Sequence, residues 1–278
     1  MNVYEFQVGD NGQILNGAVA TSFVDITGVS GLDNAPYRQA TRAREGLDGS
    51  FIDADFETER TVVISGTVFG DESYLDQLKD DFAPSRKSIP FYFVDELNRQ
   101  RVLFVKPMGL KYDWNSLKRL GQTDFQGTLI AGDPTIYSAS LKSVPMSLPG
   151  NLTGRAYNRQ YNYGYGGYAG SPLTQVTNNG NRPTWPTFTI YGDCTNPKIS
   201  NEDTGEFIKL ARSIGSNGFV VIDTQNRIIL LNGTDSIRGD MTADSSWFDL
   251  NSGNTVLRYT ASVIGASSVA VDYRDAWR

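Results

Sequence analysis

The sequence predicts a mainly β protein made of two consecutive β-sandwiches and a single helix. Short apolar or alternating runs, each bounded by Gly, Asn, Asp or Pro, fill the last third of the chain, and that spacing is typical of sandwich domains. An alternation of apolar and polar residues covers 52–68, as in a strand with one buried face. Helical periodicity is clear only over Ser73–Phe82, which disfavours an α/β enzyme.

The chain begins with short strands and continues into a long one. Two short apolar runs, Tyr4–Val8 and Val19–Ile26, are predicted strands on either side of a glycine-rich turn. From Ile52 to Val68 the even positions are mostly apolar and the odd positions mostly polar. Arg60 is the exception on the apolar face. We expect one long, half-buried strand here.

A hairpin is predicted between Tyr37–Arg44 and the start of that long strand. Asp48-Gly49 suits a two-residue hairpin turn, because both central positions need positive φ. With that turn, arginines oppose carboxylates across the strands, namely Arg44 with Asp53, Arg42 with Asp55, and Arg38 with Glu59. Each such pair contributes roughly 0.2–1 kcal/mol. The simplest interpretation is that this face of the hairpin is solvent-exposed and its ion pairs are weak.

The predicted helix and three strands complete the N-terminal half. Ser73 is expected to cap the helix, with Asp76 at the reciprocal capping-box position. Helical spacing places three apolar residues on one face, namely Leu75, Leu78 and Phe82. Three strands follow, Ile89–Val94, Arg101–Lys106 and Thr123–Ile130. These elements fit one domain.

A tyrosine-rich stretch separates the two predicted sandwiches. We place an N-terminal domain at 1–141, a Tyr/Gly-rich connecting arm at 142–185 and a C-terminal sandwich at 186–278. A tyrosine ring offers a flat apolar face and a polar tip, so the arm could contact a sugar or a partner chain, or pack on its own domain. The tyrosines concerned are Tyr157, Tyr161, Tyr163, Tyr165 and Tyr168.

Composition lowers the expectation of an enzyme. The chain has no histidine, which excludes a Ser-His-Asp triad, an HExxH zinc site and a Cys-His pair. The net charge is −6, from 25 Lys+Arg and 31 Asp+Glu, and no basic cluster suggests nucleic-acid binding. Cell-wall hydrolysis by two carboxylates stays formally open, but it needs them about 5–9.5 Å apart, and no such pair stands out.

No cofactor, metal or catalytic residue is expected. The run Asp53–Glu57 superficially resembles a calcium loop, but it continues into a strand and lacks the required glycine and distant glutamate. Cys194 is the single cysteine, and nothing near it in the sequence provides a base, so it is expected to be structural. Neither a signal peptide nor an apolar run of about 18 residues is visible. Membrane insertion is therefore not expected.

Several sequence segments together give the chain a family resemblance. In the N-terminal half they are the hairpin region Tyr37–Phe69, the single helix and GDPTIYS at Gly132–Ser138. In the C-terminal half they are NPKISNEDTGEFIKL, VVIDTQNRIILLNG and the late Trp247…Leu250…Gly253-Asn254. In their order and spacing the chain resembles siphovirus distal tail proteins. Ser252-Gly253 stands where that family usually has Pro-Gly, and the tyrosine-rich arm is a second departure.

The resemblance implies a fold for each half. The N-terminal domain is expected to be a tail-tube-like β-sandwich with one flanking helix and a long hairpin, which closes into a hexameric ring around a channel. The C-terminal domain is expected to be a galectin-like or jelly-roll β-sandwich. In this interpretation the hairpin contacts the neighbouring subunit or lines the lumen, where carboxylates would repel DNA. Its charged residues are Arg38, Arg42, Arg44, Asp53, Asp55, Glu57 and Glu59.

The function that the resemblance implies is structural. We expect a virion protein, the hexameric distal hub of a long non-contractile phage tail, assembled in the host cytoplasm. Its partners would be further copies of itself, the tail-tube protein and a tail-tip or tail-associated protein, with DNA passing through without specific binding. The alternative is a carbohydrate-binding adsorption module on the C-terminal sandwich, recognisable by exposed Trp or Tyr beside Asn, Asp or Arg.

Overall fold

A computed structural model describes residues 5–12, 14–15, 23–70, 72–113, 121–147 and 172–278. The chain forms two compact units: unit 1 is Met1–Ala139 with Trp277–Arg278, and unit 2 is Ser140–Ala276. Within the described ranges both units are built from antiparallel strands, with a single α-helix in unit 1. The mainly β fold predicted from the sequence is confirmed.

In its described residues, unit 1 contains strands β1 to β10 and one helix. Seven strands form a continuous antiparallel path in the order β2-β1-β7-β8-β9-β6-β3. The bounds are β1 Phe6–Val8, β2 Ile14–Leu15, β3 Val24–Ser30, β4 Tyr37–Ala43, β5 Ser50–Glu57, β6 Arg60–Phe69, α1 Glu72–Asp81, β7 Ile89–Val94, β8 Gln100–Tyr112, β9 Gln122–Ala131 and β10 Ile136–Ser138.

The long strand β8 belongs to both halves of unit 1. Its first part pairs with β7 and its second part with β9, and the pairing register shifts between Pro107 and Gly109. Such an irregularity bends a strand, so the path curves around a common core. That core contains aromatic and aliphatic residues from both halves, including Phe91, Leu103, Val62 and Leu129.

The predicted long strand is two strands in the structure. β5 and β6 are separated only by residues 58–59, and β6 pairs with β3 and β9 in the main sheet. On β6 the even positions Val62 and Ile64 are fully buried, as the alternation predicts. Arg60 lies in the same buried row, 1% exposed, and its guanidinium donates hydrogen bonds to backbone carbonyls.

The helix forms nearly where the sequence predicts it. Its three apolar positions are buried as expected, namely Leu75, Leu78 and Phe82. The predicted cap is wrong, because α1 begins at Glu72 and Ser73 therefore lies inside the first turn. Lys79 and Asp76 form an exposed ion pair at 2.8 Å, a weak contribution at such a site.

Unit 2 is a two-sheet sandwich. The larger sheet runs β11-β21-β13-β17-β18-β19 with β16 beside β13, and the smaller runs β12-β20-β14-β15. The bounds are β11 Lys142–Ser147, β12 Leu173–Asn178, β13 Thr187–Thr195, β14 Lys198–Asn201, β15 Phe207–Lys209, β16 Ser213–Ile214, β17 Phe219–Asp223, β18 Ile228–Leu231, β19 Asp235–Ser236, β20 Gly253–Thr260 and β21 Val263–Tyr273. The last strand of the chain, β22 Ala276–Trp277, pairs with β10.

The core of unit 2 lies between its two sheets. Phe188 and Val271 come from the larger sheet, Ile199 and Leu257 from the smaller, and all four are fully buried in one cluster. Alternation along each strand places the remaining residues outward, as in other sandwiches. Cys194 is buried in this core, in line with a structural role.

The expected connecting arm contributes strands to unit 2. β11 and β12 lie at the two ends of 142–185, and they pair with β21 and β20 respectively. The division of the chain therefore differs from the one expected, because both ends of the predicted arm are built into the second sandwich. In the described part of the chain, no helix is long and apolar enough to cross a membrane.

Candidate functional site

The hairpin of β4 and β5 is the candidate site. These strands form a two-stranded sheet of their own, and every residue of β4 is exposed. At its base the Thr58 N–H and hydroxyl both donate to the Pro36 carbonyl, at 2.8 Å and 3.2 Å. The base is thus fixed while the strands carry no pairing to the main sheet.

The strand register differs from the predicted one. Tyr37 pairs with Glu57 and Ala43 with Ser50, and the Arg44 N–H donates to the Gly49 carbonyl at 3.4 Å. The chain therefore turns through 45–48 rather than through Asp48-Gly49 alone. The predicted pairs Arg44–Asp53, Arg42–Asp55 and Arg38–Glu59 are wrong.

Arginines face phenylalanines instead of carboxylates. Arg38 pairs with Phe56 and Arg42 with Phe51. The guanidinium carbons lie over the rings at 5.8 Å for Arg38–Phe56, 5.4 Å for Arg42–Phe51 and 4.8 Å for Arg44–Phe51. Exposed cation–π contacts of this kind contribute about 0.5–1 kcal/mol each. The hairpin consequently presents a cationic and aromatic surface.

The predicted acidic residues have separate environments. The Glu57 side chain is only 10% exposed and lies 3.7 Å from the Arg278 guanidinium, while it accepts the Tyr37 hydroxyl at 3.2 Å. Glu57 therefore anchors the base. Glu59 is exposed between β5 and β6. Asp53 and Asp55 lie on β5, but their side chains are outside the described residues.

Three apolar residues of the hairpin were missed by the sequence analysis. Phe51, Phe56 and Leu47 are exposed, Leu47 by 72%. The available signal was their position on a predicted hairpin with no apolar partner run. A two-stranded hairpin alone is marginally stable in water, and its free edges can pair with another chain. The arrangement is suited to contact with a partner rather than to catalysis.

Comparison with known proteins shows which fold the chain shares. Residues 179–277 match the family model of the siphovirus-type tail component, C-terminal domain. The SPP1 Dit protein, a hub adsorption apparatus of phages that infect Gram-positive bacteria, has the same fold at 17% identity, with a TM-score of 0.66 over 98% of both chains. The resemblance to siphovirus distal tail proteins is confirmed.

Two further solved structures are similar over nearly the whole chain. A chain of the phage P2 baseplate in its activated conformation with Ca matches at 12% identity and a TM-score of 0.55, covering 97% of each chain. The same baseplate with Sr matches at 12% identity and a TM-score of 0.54, also over 97% of each chain. No curated protein sequence matches the chain significantly.

The other residues singled out in the sequence fall into two groups. The tyrosines of the predicted arm lie outside the described residues, namely Tyr157, Tyr161, Tyr163, Tyr165 and Tyr168. Two tryptophans pack against cores, Trp247 in unit 2 and Trp277 in unit 1. Among the described residues, no group of His, Cys, Asp and Glu could hold a metal ion.

Proposed function

We propose that this protein is a structural subunit of the hub at the distal end of a siphovirus tail, and that six copies close into a ring. The observation that carries the proposal is the whole-chain likeness to the SPP1 Dit hub protein. The family match over 179–277 supports the same role for the C-terminal sandwich. A structural protein needs no active site, so the proposal includes no enzymatic activity.

Ring closure is assigned to the hairpin. Its exposed apolar and cationic residues need a partner, and the strand edges of unit 1 are covered when copies associate. The hairpin and the surface that receives it are different patches of one chain, so the contact is heterologous, and such contacts generate rings when the rotation closes. Arg38, Arg42 and Arg44 are the charged residues that we place in this contact.

The channel and the neighbours complete the proposal. DNA passes through the ring without specific binding, which a chain of net charge −6 favours. Asp53, Asp55 and Glu59 remain candidates for the lumen, whereas the enclosed Glu57 holds the hairpin base. One face docks the tail-tube protein and the other a tail-tip or tail-associated protein. The protein would then reside at the tail tip of the virion after assembly in the host cytoplasm.

The test is the mass of the purified protein in solution, with negative-stain images of the same sample. Light scattering is expected to give a hexamer, and the images a six-fold ring with a central hole. Because ring closure can require a template, the measurement is repeated with the neighbouring tail proteins. A monodisperse monomer under both conditions contradicts the proposal.

A second candidate function is carbohydrate binding by unit 2. The observation in its favour is Tyr191, which is 47% exposed on the larger sheet with its ring centroid 6.2 Å from that of Phe219. Asn232 is exposed and its side-chain carbonyl accepts the Phe219 N–H at 3.1 Å, and Asp193 is exposed two residues after Tyr191. Calorimetric titration with host-wall glycans tests the idea, with Tyr191→Ala as the control that should abolish the heat of binding.

A further inference from the structure

Unit 1 contains a pocket close to the base of the hairpin. Its volume is about 570 Å³, and its apolar lining includes Phe6, Val29, Leu32, Phe93, Ile136 and Trp277. A volume between about 300 and 1,000 Å³ is that of a site for a compact ligand or a few inserted side chains. We call this cavity the acceptor pocket.

One wall of the acceptor pocket is rigidly held. The Arg101 guanidinium lies 3.4 Å from the Trp277 ring centroid, and the Asp95 carboxylate accepts from Arg101 at 3.0 Å and from Arg99 at 2.8 Å. Burial would raise the pKa of Asp95, but the Arg99 N–H and both guanidinium groups outweigh it and hold that pKa below its ordinary value. The wall is therefore charged and fixed before any ligand arrives.

The rim of the pocket carries both carboxylates and guanidinium groups. Asp33 and Glu96 line the pocket and are exposed. In the described ranges neither carboxylate takes part in an ion pair or a hydrogen bond. The two rim arginines are already engaged, Arg99 by Asp95 and Arg278 by Glu57. An apolar floor with two available carboxylates fits apolar side chains flanked by cations.

The tip of the hairpin has this chemistry. Leu47 is largely exposed, and Phe51 carries the Arg42 and Arg44 guanidinium groups over its ring. The hairpin of the same molecule is excluded, because Arg278 at the pocket contacts Glu57 at the hairpin base. From Glu57 to the tip, β5 extends about 23 Å at roughly 3.3 Å per residue. Extended strands of this length separate the tip from its own pocket.

We infer that the hairpin tip of one copy docks into the acceptor pocket of the next copy. Leu47 and Phe51 enter the apolar cavity, while Arg42 and Arg44 lie against Asp33 and Glu96. The inference rests on the proposed ring and identifies the surface that receives the hairpin. Each copy then provides one tip and one pocket, so every contact in a closed ring is satisfied.

A cysteine cross-link tests the contact directly. Leu47 on the tip and Leu97 on the pocket lining are both exposed, and the native Cys194 is buried. In the double variant Leu47→Cys/Leu97→Cys, mild oxidation with copper phenanthroline is expected to give a ladder of covalent oligomers up to the ring. Each single variant is the matched control and can form covalent dimers at most.

The outcomes separate the docking contact from the ring. Rings by mass and by imaging without a ladder above the dimer overturn the docking and leave the proposed function standing. A protein that remains monomeric with its tail partners present overturns both. A ladder in the double variant, with no covalent dimer in either single variant, establishes the contact, because only a bond between position 47 and position 97 then explains it.

A charge swap provides an independent readout. Arg42→Glu/Arg44→Glu is expected to raise the ring dissociation constant at least about tenfold, as is usual for close interfacial charge pairs. Adding Asp33→Arg/Glu96→Arg should recover most of that loss, because opposite charges again face each other. Arg86→Glu, an exposed reversal elsewhere in unit 1, is the control with unchanged assembly. If Asp33→Arg/Glu96→Arg does not restore assembly, the docking contact is contradicted.

Discussion

At the scale of single residues, Arg60 connects the core of unit 1 to the hairpin base. Its guanidinium donates to the Pro134 carbonyl at 3.2 Å and to the carbonyls of Gly31, at 3.2 Å, and Asp33. A buried charge is costly unless it is hydrogen-bonded, and here it binds the segments that precede β4 and β10. Arg60, the exception in the apolar alternation, thus holds the loop that carries Asp33 at the rim of the acceptor pocket.

Replacing Arg60 should destabilise unit 1. In Arg60→Met the three carbonyls lose their donor, and each unsatisfied buried group costs about 1–3 kcal/mol. We expect the free energy of unfolding to fall by at least about 3 kcal/mol, measured by urea denaturation. Arg86→Met is the exposed control and should change it by less than about 0.5 kcal/mol. A loss under about 1 kcal/mol for Arg60→Met would mean that water replaces the guanidinium.

A glycine on β9 makes room for an aromatic ring. The buried Phe82 ring at the end of α1 packs onto Gly127, and a Cβ at that position would overlap it. Gly127→Ala should cost about 1–3 kcal/mol, as overpacked cores do, and should lower the melting temperature. Gly28→Ala on β3 is the matched control, because no atom lies within 4 Å of its added Cβ. Equal melting temperatures for the two variants would contradict the role of Gly127.

At the scale of elements, local periodicity was a good guide wherever one face of an element is buried. The α1 apolar face and the β6 alternation were predicted because their spacing matches 3.6 and 2 residues. The division between β5 and β6 was not predicted, because the two residues between them, 58–59, keep the apolar positions at even numbers on both sides. A pattern of period 2 cannot reveal where such a strand leaves the sheet.

The hairpin register failed for a different reason. Gly49 has the positive φ of 96° that the predicted turn requires, but Gly46 has one too, at 73°, and the longer turn is formed. The longer turn places Arg42 opposite Phe51, and a register shift between Gln39 and Thr41 moves Arg38 from Asp55 to Phe56. Exposed strands specify their register weakly. The acceptor pocket was equally beyond the sequence, because its lining comes from positions as distant as Phe6 and Trp277.

The β7–β8 loop should make unit 1 sensitive to acid. The folded-state pKa of Asp95 is held below its unfolded value, so its stabilisation is complete above the unfolded pKa of about 3.9. It is lost as the pH falls through the lower folded value. The urea midpoint of the wild type should therefore fall between about pH 4 and pH 2 more steeply than that of Asp95→Asn. Glu96→Gln, on the same loop, should keep the wild-type slope, and parallel curves for all three proteins would contradict the assignment.

At the scale of the whole molecule, the hairpin is a separate two-stranded sheet, about 23 Å long. Because β4 and β5 pair only with each other, unit 1 does not need them to complete its sheet. The hairpin exposes Leu47, Phe51 and Phe56, and exposed apolar side chains lower solubility. Association with other copies would cover them.

Removing the hairpin should separate assembly from folding. Tyr37 and Glu57 are directly paired, so an Asn-Gly turn can replace residues 38–56 without moving the base. The shortened chain is expected to keep its near-ultraviolet circular dichroism and to melt within about 3 °C of the wild type, since no core residue is lost. Light scattering should report a monomer, while Arg86→Glu forms rings under the same conditions. Rings of wild-type subunit number from the shortened chain would show that other surfaces close the ring, and a chain that no longer folds would place the hairpin within the cooperative unit after all.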